Sequence, residues 1–580
     1  MRTETGFRMK YNLKAPMRDG VAISTDLYLP DAHGPFPVIL IRTPYSNNAE
    51  PRVRMAMDFA RRGYAVAIQD CRGRWDSQGE WYPFKHEISD TCDAVEWCGT
   101  QPWSNGKVGM TGASYEAAAL LYAATGRPRH LVCLAPRVGY SNYFHNWAYT
   151  GGAFQLGFNY RWLGMQMHAH TNQALYPWLP EENRLESLWW TLPLVDMAEA
   201  AGRENPIWRE WLAHSRYDDY WRGLSPVDEG YHRVEVPIYG FGGWYDIFCQ
   251  GTLNNYMGVK AGGATPQARA SQKVLIGPWI HNLGDQGRIA KTGDVDFGPE
   301  AHLDLIQEYL RWFDFWLQGI DNGIMQEPPV KVFVMGDGRG AGIGTGRWRE
   351  APDWPIPGTV DTPYYLHSRG NANTSFGDGA LSKETPAAES PDHFTYDPHN
   401  PVPTVGGSTC CSEDQTPISM GPRDQRWVEL RPDVLVYTSG ILEEDLEVIG
   451  SVKLVLYASS SAPDTDFTAK LVDVSPNGFC MNVAQGILRA RFRESWEEPS
   501  LIRPEDVYRY ELDLWSTAVR FRKGHRIRVD LTSSNFPQFD RNPNTGRPFG
   551  QDSVLAVAHQ EVHHDRVHPS HILLPVITRE

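Results

Sequence analysis

The run Lys107-Val108-Gly109-Met110-Thr111-Gly112-Ala113-Ser114-Tyr115-Glu116-Ala117-Ala118-Ala119-Leu120 decides how this chain is read. Lys107 to Ala113 carries the apolar and small residues of a short buried strand, and Tyr115 to Thr125 reads as a helix ended by Gly126 and Pro128. Nothing remains for a loop between them, so Ser114 falls on the bend itself. A strand turning directly into a helix projects that hydroxyl above the sheet and aims the helix N-terminus at it, where developing negative charge is stabilised. The generic nucleophile pattern has Gly two residues after the serine, where this chain has Glu116. A serine that merely caps the helix fits the same stretch, and only its partners discriminate.

A serine hydroxyl is a weak nucleophile at neutral pH and needs a histidine base, itself oriented by a carboxylate. In α/β-hydrolases these follow in the order Ser, Asp or Glu, His. Val236-Pro237-Ile238-Tyr239-Gly240-Phe241-Gly242-Gly243-Trp244-Tyr245-Asp246 reads as a buried strand entering a Gly-rich loop that ends in an acid, which makes Asp246 the candidate orienting carboxylate. Lys273-Val274-Leu275-Ile276-Gly277-Pro278-Trp279-Ile280-His281 repeats the design and makes His281 the candidate base. The backbone N–H of Tyr115, next after the serine, is the first candidate donor to an oxyanion.

These motifs resemble the cocaine-esterase and X-Pro dipeptidyl-peptidase family, which includes α-amino-acid ester hydrolases and some acylases. Met17-Arg18-Asp19-Gly20-Val21, Arg42-Thr43-Pro44-Tyr45, Gln69-Asp70-Cys71-Arg72-Gly73-Arg74 and Gly293-Asp294-Val295-Asp296-Phe297-Gly298 extend the resemblance. Asp464-Thr465-Asp466-Phe467 and Gly524-His525-Arg526-Ile527-Arg528 carry it toward the C-terminus. The family places Gly where this chain has Ala117, a change expected to touch packing more than chemistry. The resemblance implies a tyrosine hydroxyl as second oxyanion donor, falling on Tyr45. Read from the sequence alone, Tyr45 is a turn tyrosine bonded to a backbone carbonyl.

At 580 residues the chain exceeds one hydrophobic core and should form two or three domains. No apolar run approaches the ~18 residues of a membrane span, and the opening Met1-Arg2-Thr3-Glu4-Thr5-Gly6 lacks the layout of a signal peptide. A cytoplasmic protein with no membrane partner is expected. A net charge of −15 argues against nucleic acid, whose binders need a basic face. The eight cysteines show no repeated C-x-x-C spacing, so neither zinc nor a disulfide framework is expected, and Cys410-Cys411 reads as two loop thiols rather than a vicinal disulfide. His563, His564, His568 and His571 lack a clear metal-ligand pattern. His168 and His170, two apart, do not share a helix face and read as lid packing. No cofactor and no metal are expected.

From Met9 to about Pro136 strands and helices alternate, as in a parallel sheet covered on both faces. The pattern resumes at Val236 and Val274, leaving an insertion rich in Trp, Tyr and Leu that reads as a helical lid. A helix over Glu300 to Gln318, stopped by Gly319, closes this part. Beyond Glu327 come strands such as Val330 to Val334, Val434 to Tyr437, Val452 to Ala458, Phe467 to Val474 and His525 to Leu531, the pattern of a β-sandwich, most simply a jelly roll. Asn371 to Asp424 reads as loop. The expected fold is an α/β-hydrolase domain over residues 1–144 and 235–326, a helical lid over 145–234, and an all-β jelly-roll domain over 327–580.

The resulting expectation is a serine hydrolase acting through an acyl-enzyme on a small-molecule ester or amide, with Ser114, His281 and Asp246 as triad and Tyr45 and Tyr115 as oxyanion hole. An X-Pro peptidase, an amino-ester hydrolase or an acylase stays open, because Glu116, Asp76 or lid acids are candidates to hold a free amine. So does a non-catalytic carbohydrate- or peptide-binding protein. Phe144, Trp147, Trp162, Trp189 and Trp190 are candidates to line an acyl pocket, but aromatics in a helical insertion are more often core and none is assigned as a binding residue; oligomeric state is left open, a homo-oligomer included.

Overall fold

The computed structural model describes residues 6–166, 187–200, 205–224, 227–336, 345–411 and 418–577, with the side chains of 164–166 and 284–285 also outside that description. His168 and His170 lie outside the described residues. The N-terminal half is built on one sheet whose strands begin β1 (Phe7–Pro16), β2 (Ala22–Pro30), β3 (Phe36–Thr43), β4 (Ala65–Asp70), β5 (Ser104–Ala113) and β6 (Leu131–Arg137). Helices α1 (Glu50–Arg61), α2 (Glu87–Thr100) and α3 (Tyr115–Gly126) connect them. Spatially the ten strands run β1, β2, β4, β3, β5, β6, Tyr239–Gly243, Lys273–Gly277, Val330–Val334, Arg347–Ala351. From β4 to Val330–Val334 neighbours pair in parallel, and the edges are antiparallel. β3 and β4 are buried along their whole length, as a sheet covered on both faces demands.

Val330–Val334, grouped by pattern with the strands that follow it, instead pairs in parallel with Lys273–Gly277, and Arg347–Ala351 pairs with it in turn. The closing helix spans Leu305–Gln318, starting later than Glu300 because Asp304 caps it by accepting the Ile306 N–H at 3.0 Å. Gly319, at φ 71°, ends it.

The segment between β6 and Tyr239–Gly243 holds short helical pieces, among them Phe144–Ala148, Tyr160–Gln166, Pro206–Ala213 and Asp219–Leu224. Their large aromatics are core: Phe144, Trp147, Trp208, Trp211 and Trp221 are fully buried and Trp162 nearly so. Trp190 is 44% exposed and packs on Phe536. The C-terminal region is β-rich. Eleven strands form one hydrogen-bonded set, including Leu435–Ser439, Leu446–Ser460, Asp466–Val474 and Arg526–Thr532 where strands were expected. Inside the expected loop, Asp392–Tyr396 alternates buried and exposed residues and pairs with Ala558–His563, a two-residue period too short for the pattern to stand out. Among the described residues no helix is long and apolar enough to cross a membrane.

Candidate active site

Ser114 sits between β5 and α3 with φ 61° and ψ −122°, a backbone region that costs a non-glycine residue of order 1–3 kcal/mol. Its side chain makes no capping hydrogen bond, so the helix-cap alternative does not describe this serine. The turn is held from behind by Ser114 N–H to the Arg137 carbonyl at 3.0 Å and Ala113 N–H to Glu116 Oε2 at 3.0 Å. Gly112 has to be glycine, because a Cβ there would lie 2.4 Å from that of Glu116. Ala117 is buried against Gly139, whose own Cβ would approach it to 3.3 Å. As the first residue of α3, Tyr115 has no intrahelical acceptor for its N–H. Its side chain points into the core, stacked on Phe84 with centroids 4.3 Å apart and donating its hydroxyl to Glu87 at 3.0 Å.

Asp246 and His281 follow neighbouring parallel strands, Tyr239–Gly243 and Lys273–Gly277. Two glycines let the loops at the strand ends close on each other. A Cβ on Gly243 would stand 2.2 Å from the Trp279 carbonyl, and one on Gly277 would meet the Trp279 ring at 2.4 Å. Trp244 N–H donates to the Gly277 carbonyl and Tyr245 N–H to that of Trp279, at 2.9 and 3.0 Å. The product is a contact of 2.7 Å between His281 Nδ1 and Asp246 Oδ1, with Asp246 fully buried and the His281 side chain 15% exposed. An ionised carboxylate only accepts, so Nδ1 carries the proton and Nε2 is left with its lone pair. Phe248 sets its ring edge-on to the imidazole at 5.4 Å. The β-rich region braces the acid from outside, through Tyr245 hydroxyl to the Asn482 carbonyl at 2.9 Å and a bridge between Asp246 and Thr409.

Tyr45 follows β3. Its hydroxyl accepts the Trp162 Nε1–H at 2.9 Å and lies within hydrogen-bonding reach of the Ser114 side chain, rather than donating to a backbone carbonyl. Burial pushes its pKa up to about 12, so at neutral pH it keeps its proton. Arg52 lies over the ring at 5.4 Å and is ion-paired to Glu116, which is 2% exposed. Sequence reasoning missed Arg52 here, and named Trp162 only among the lid aromatics, not as the partner of Tyr45. Glu116 is thus committed to Arg52 and to the serine turn, while Asp76 is exposed.

A second serine, histidine and acid meet in the β-rich region. Asp392 Oδ2 accepts from Ser368 at 2.7 Å and from His564 Nε2 at 2.9 Å, and His564 Nδ1 faces Glu389 at 3.1 Å. Ser368 Oγ also lies 3.1 Å from His564 Nε2; Ser368, His564 and Asp392 are all buried and the serine donates to the acid itself, so the three form a buried structural network. Of the other C-terminal histidines, His563 and His568 come together with Asp565, ligand atoms within 4.8 Å of one another. Cys410 and Cys411, expected as two thiols, are instead joined to each other; their adjacency in the chain brings the two sulfurs within bonding reach.

Parallel strand ends that present a serine, an acid and a histidine in that chain order mark the α/β-hydrolase class. Residues 19–282 match the X-Pro dipeptidyl-peptidase (S15 family) profile, and residues 322–573 match the X-Pro dipeptidyl-peptidase C-terminal non-catalytic domain. The chain is 35% identical to the cocaine esterase of a Rhodococcus species, covering 98% of each chain. An aminopeptidase from a marine sediment archaeon (Thaumarchaeota) superposes with a TM-score of 0.84 at 25% identity, covering 100% of this chain and 98% of that one. An α-amino acid ester hydrolase does so with 0.83 at 26%, covering 99% and 97%. The chain belongs to the X-Pro dipeptidyl-peptidase (S15) family, with an N-terminal α/β domain and a C-terminal β-rich domain.

Proposed function

We propose that this protein is a serine hydrolase that cleaves a small carboxylic ester through an acyl-enzyme. Ser114 attacks the carbonyl carbon while His281 Nε2 takes its proton, and Asp246 stabilises the imidazolium that forms. The Tyr45 hydroxyl and Tyr115 N–H receive the oxyanion. His281 then protonates the leaving alkoxide, and water, activated by the same nitrogen, releases the acid and frees Ser114. The observation that carries this reading is the 2.7 Å bond from buried Asp246 to His281, on the sheet that also holds Ser114 at its strained bend.

Ester rather than peptide is favoured by the cocaine-esterase relative and by Glu116, whose carboxylate is already engaged by Arg52 and the Ala113 N–H rather than held open for a substrate amine. The archaeal aminopeptidase keeps amide cleavage as a second reading. The test is p-nitrophenol release from short-chain esters beside p-nitroaniline release from free-amino aminoacyl and X-Pro anilides. Serine-dependent ester turnover without anilide cleavage supports the reading; anilide cleavage at a higher kcat/KM overturns it.

We assign the α/β-hydrolase part to residues 1–144 and 235–326 with two further strands to Ala351, the lid to 145–234, and a jelly roll to the β-rich remainder. The buried free thiols of Cys71, Cys92, Cys98, Cys133, Cys249 and Cys480 favour a reducing, cytoplasmic setting.

A further inference from the structure

The cysteine pair of the β-rich region reaches the histidine of the α/β domain. One ring nitrogen of His281 and the sulfurs of Cys410 and Cys411 lie within 4.8 Å of one another. Nδ1 is taken by Asp246, which leaves Nε2 as the nitrogen free to bind. Cys410 is buried and Cys411 half-buried. The loop that carries them is pinned where it meets the acid, through the bridge from Thr409 to Asp246 and from the Ser408 hydroxyl to the Trp244 carbonyl at 3.3 Å. The approach is therefore fixed by the same contacts that place Asp246.

We infer that Cys410, Cys411 and His281 form a redox-gated site for a thiophilic divalent cation, zinc by chemical class, whose occupation switches the hydrolase off. The inference rests on His281 as the base of the proposed reaction. Two thiolates and one imidazole are the donors zinc favours, at about 2.3 Å from sulfur and 2.0–2.1 Å from nitrogen, which sets two ligands of one tetrahedral ion about 3.5 Å apart. The two sulfurs are bonded to each other in the structure, so reaching that geometry takes reduction of the pair, separation of the sulfurs and closure of the His281 nitrogen, which already lies within 4.8 Å of both. Binding exchanges the two thiol protons for one Zn²⁺ and releases both protons to solvent. The lone pair of Nε2 then holds the ion and cannot accept the Ser114 proton. Oxidation by a low-molecular-weight disulfide forms the Cys410–Cys411 bond and yields two small thiols. This removes two of three ligands and leaves the imidazole free, so the oxidised pair is the form that protects activity.

The test uses the full chain, with Co²⁺ as the spectroscopic stand-in for zinc. Reduced Ser114→Ala protein should bind one Co²⁺ with a thiolate-to-cobalt charge-transfer band. The band should be absent in the disulfide form and in Cys410→Ser/Cys411→Ser, and weaker in affinity in His281→Ala. With Ser114 present, zinc at ten times its dissociation constant should lower ester hydrolysis by the reduced protein about elevenfold by mass action. Each variant's rate is referred to its own rate without the ion. The absence of a cobalt band in reduced protein overturns the site, as does equal zinc inhibition of the cysteine-free variant or of the oxidised form. The band is read without turnover, so failure of the triad reading, seen as full hydrolysis by Ser114→Ala without metal, is distinguished from failure of the site.

Discussion

His281 Nδ1 lies 2.7 Å from Asp246 Oδ1, and among the described residues no donor reaches Oδ2 of that buried carboxylate. The acid's polar partner is the imidazole and the turn is fixed by backbone bonds, so its part is to hold one tautomer rather than to build the loop. Asp246→Asn should keep the fold, because the side chain is near-isosteric, yet present an N–H to Nδ1 and force the wrong tautomer. Turnover should fall by about 10⁴-fold with an unchanged circular dichroism melt.

The Tyr45 phenol stays protonated, its pKa pushed up to about 12 by burial, and already accepts from Trp162, so its own proton is free to donate. Tyr45→Phe should lower kcat by about 10²–10³-fold with little change in KM, the usual effect of losing one oxyanion donor. Native kcat should show no loss assignable to this group from pH 7 to 10. Steady-state kinetics across that range checks both statements.

Gly112→Ala would bring a Cβ to 2.4 Å from that of Glu116, behind the bend that carries Ser114. A cost of about 1–3 kcal/mol from overpacking is expected in urea unfolding, with a loss of kcat larger than the loss of folded protein explains.

In the β-rich region burial alone would lower the His564 pKa, but the hydrogen bond and charge of Asp392 outweigh it and raise it. For Asp392 burial opposes ionisation, and the bonds from His564, the Ala372 N–H and Ser368 prevail and lower its pKa. The histidine's contribution is fully present below its unfolded pKa of about 6.5 and fades as pH rises through the folded value. The aspartate's is present above about 3.9 and is lost as pH falls through the folded value. His564→Gln should therefore cost most near pH 5, about 1–3 kcal/mol, and least near pH 9, as read by denaturant unfolding at both.

The residues of the proposed triad were legible because each follows a strand: Ser114 after β5, Asp246 after Gly242-Gly243, His281 after Gly277-Pro278. Local pattern places such residues, and the parallel sheet brings them to one edge. What local pattern cannot say is which distant side chain meets them. Trp162 lies 117 residues from Tyr45 in an insertion where one tryptophan looks like another, and Arg52 is one of several arginines on α1. Val330–Val334 reads as a strand, but its partner is decided by tertiary packing rather than by its own residues. Glu116, the departure from the generic serine motif, is explained only by the Ala113 N–H and Arg52 that it holds.

The most direct test of the account is covalent labelling by a fluorophosphonate, followed by mass spectrometry of the labelled peptide. The account predicts one phosphonyl group on Ser114 and at least 10²-fold slower labelling of His281→Ala, since Ser114 depends on that base. Labelling on another residue, or native-rate labelling of Ser114 in His281→Ala, would contradict it.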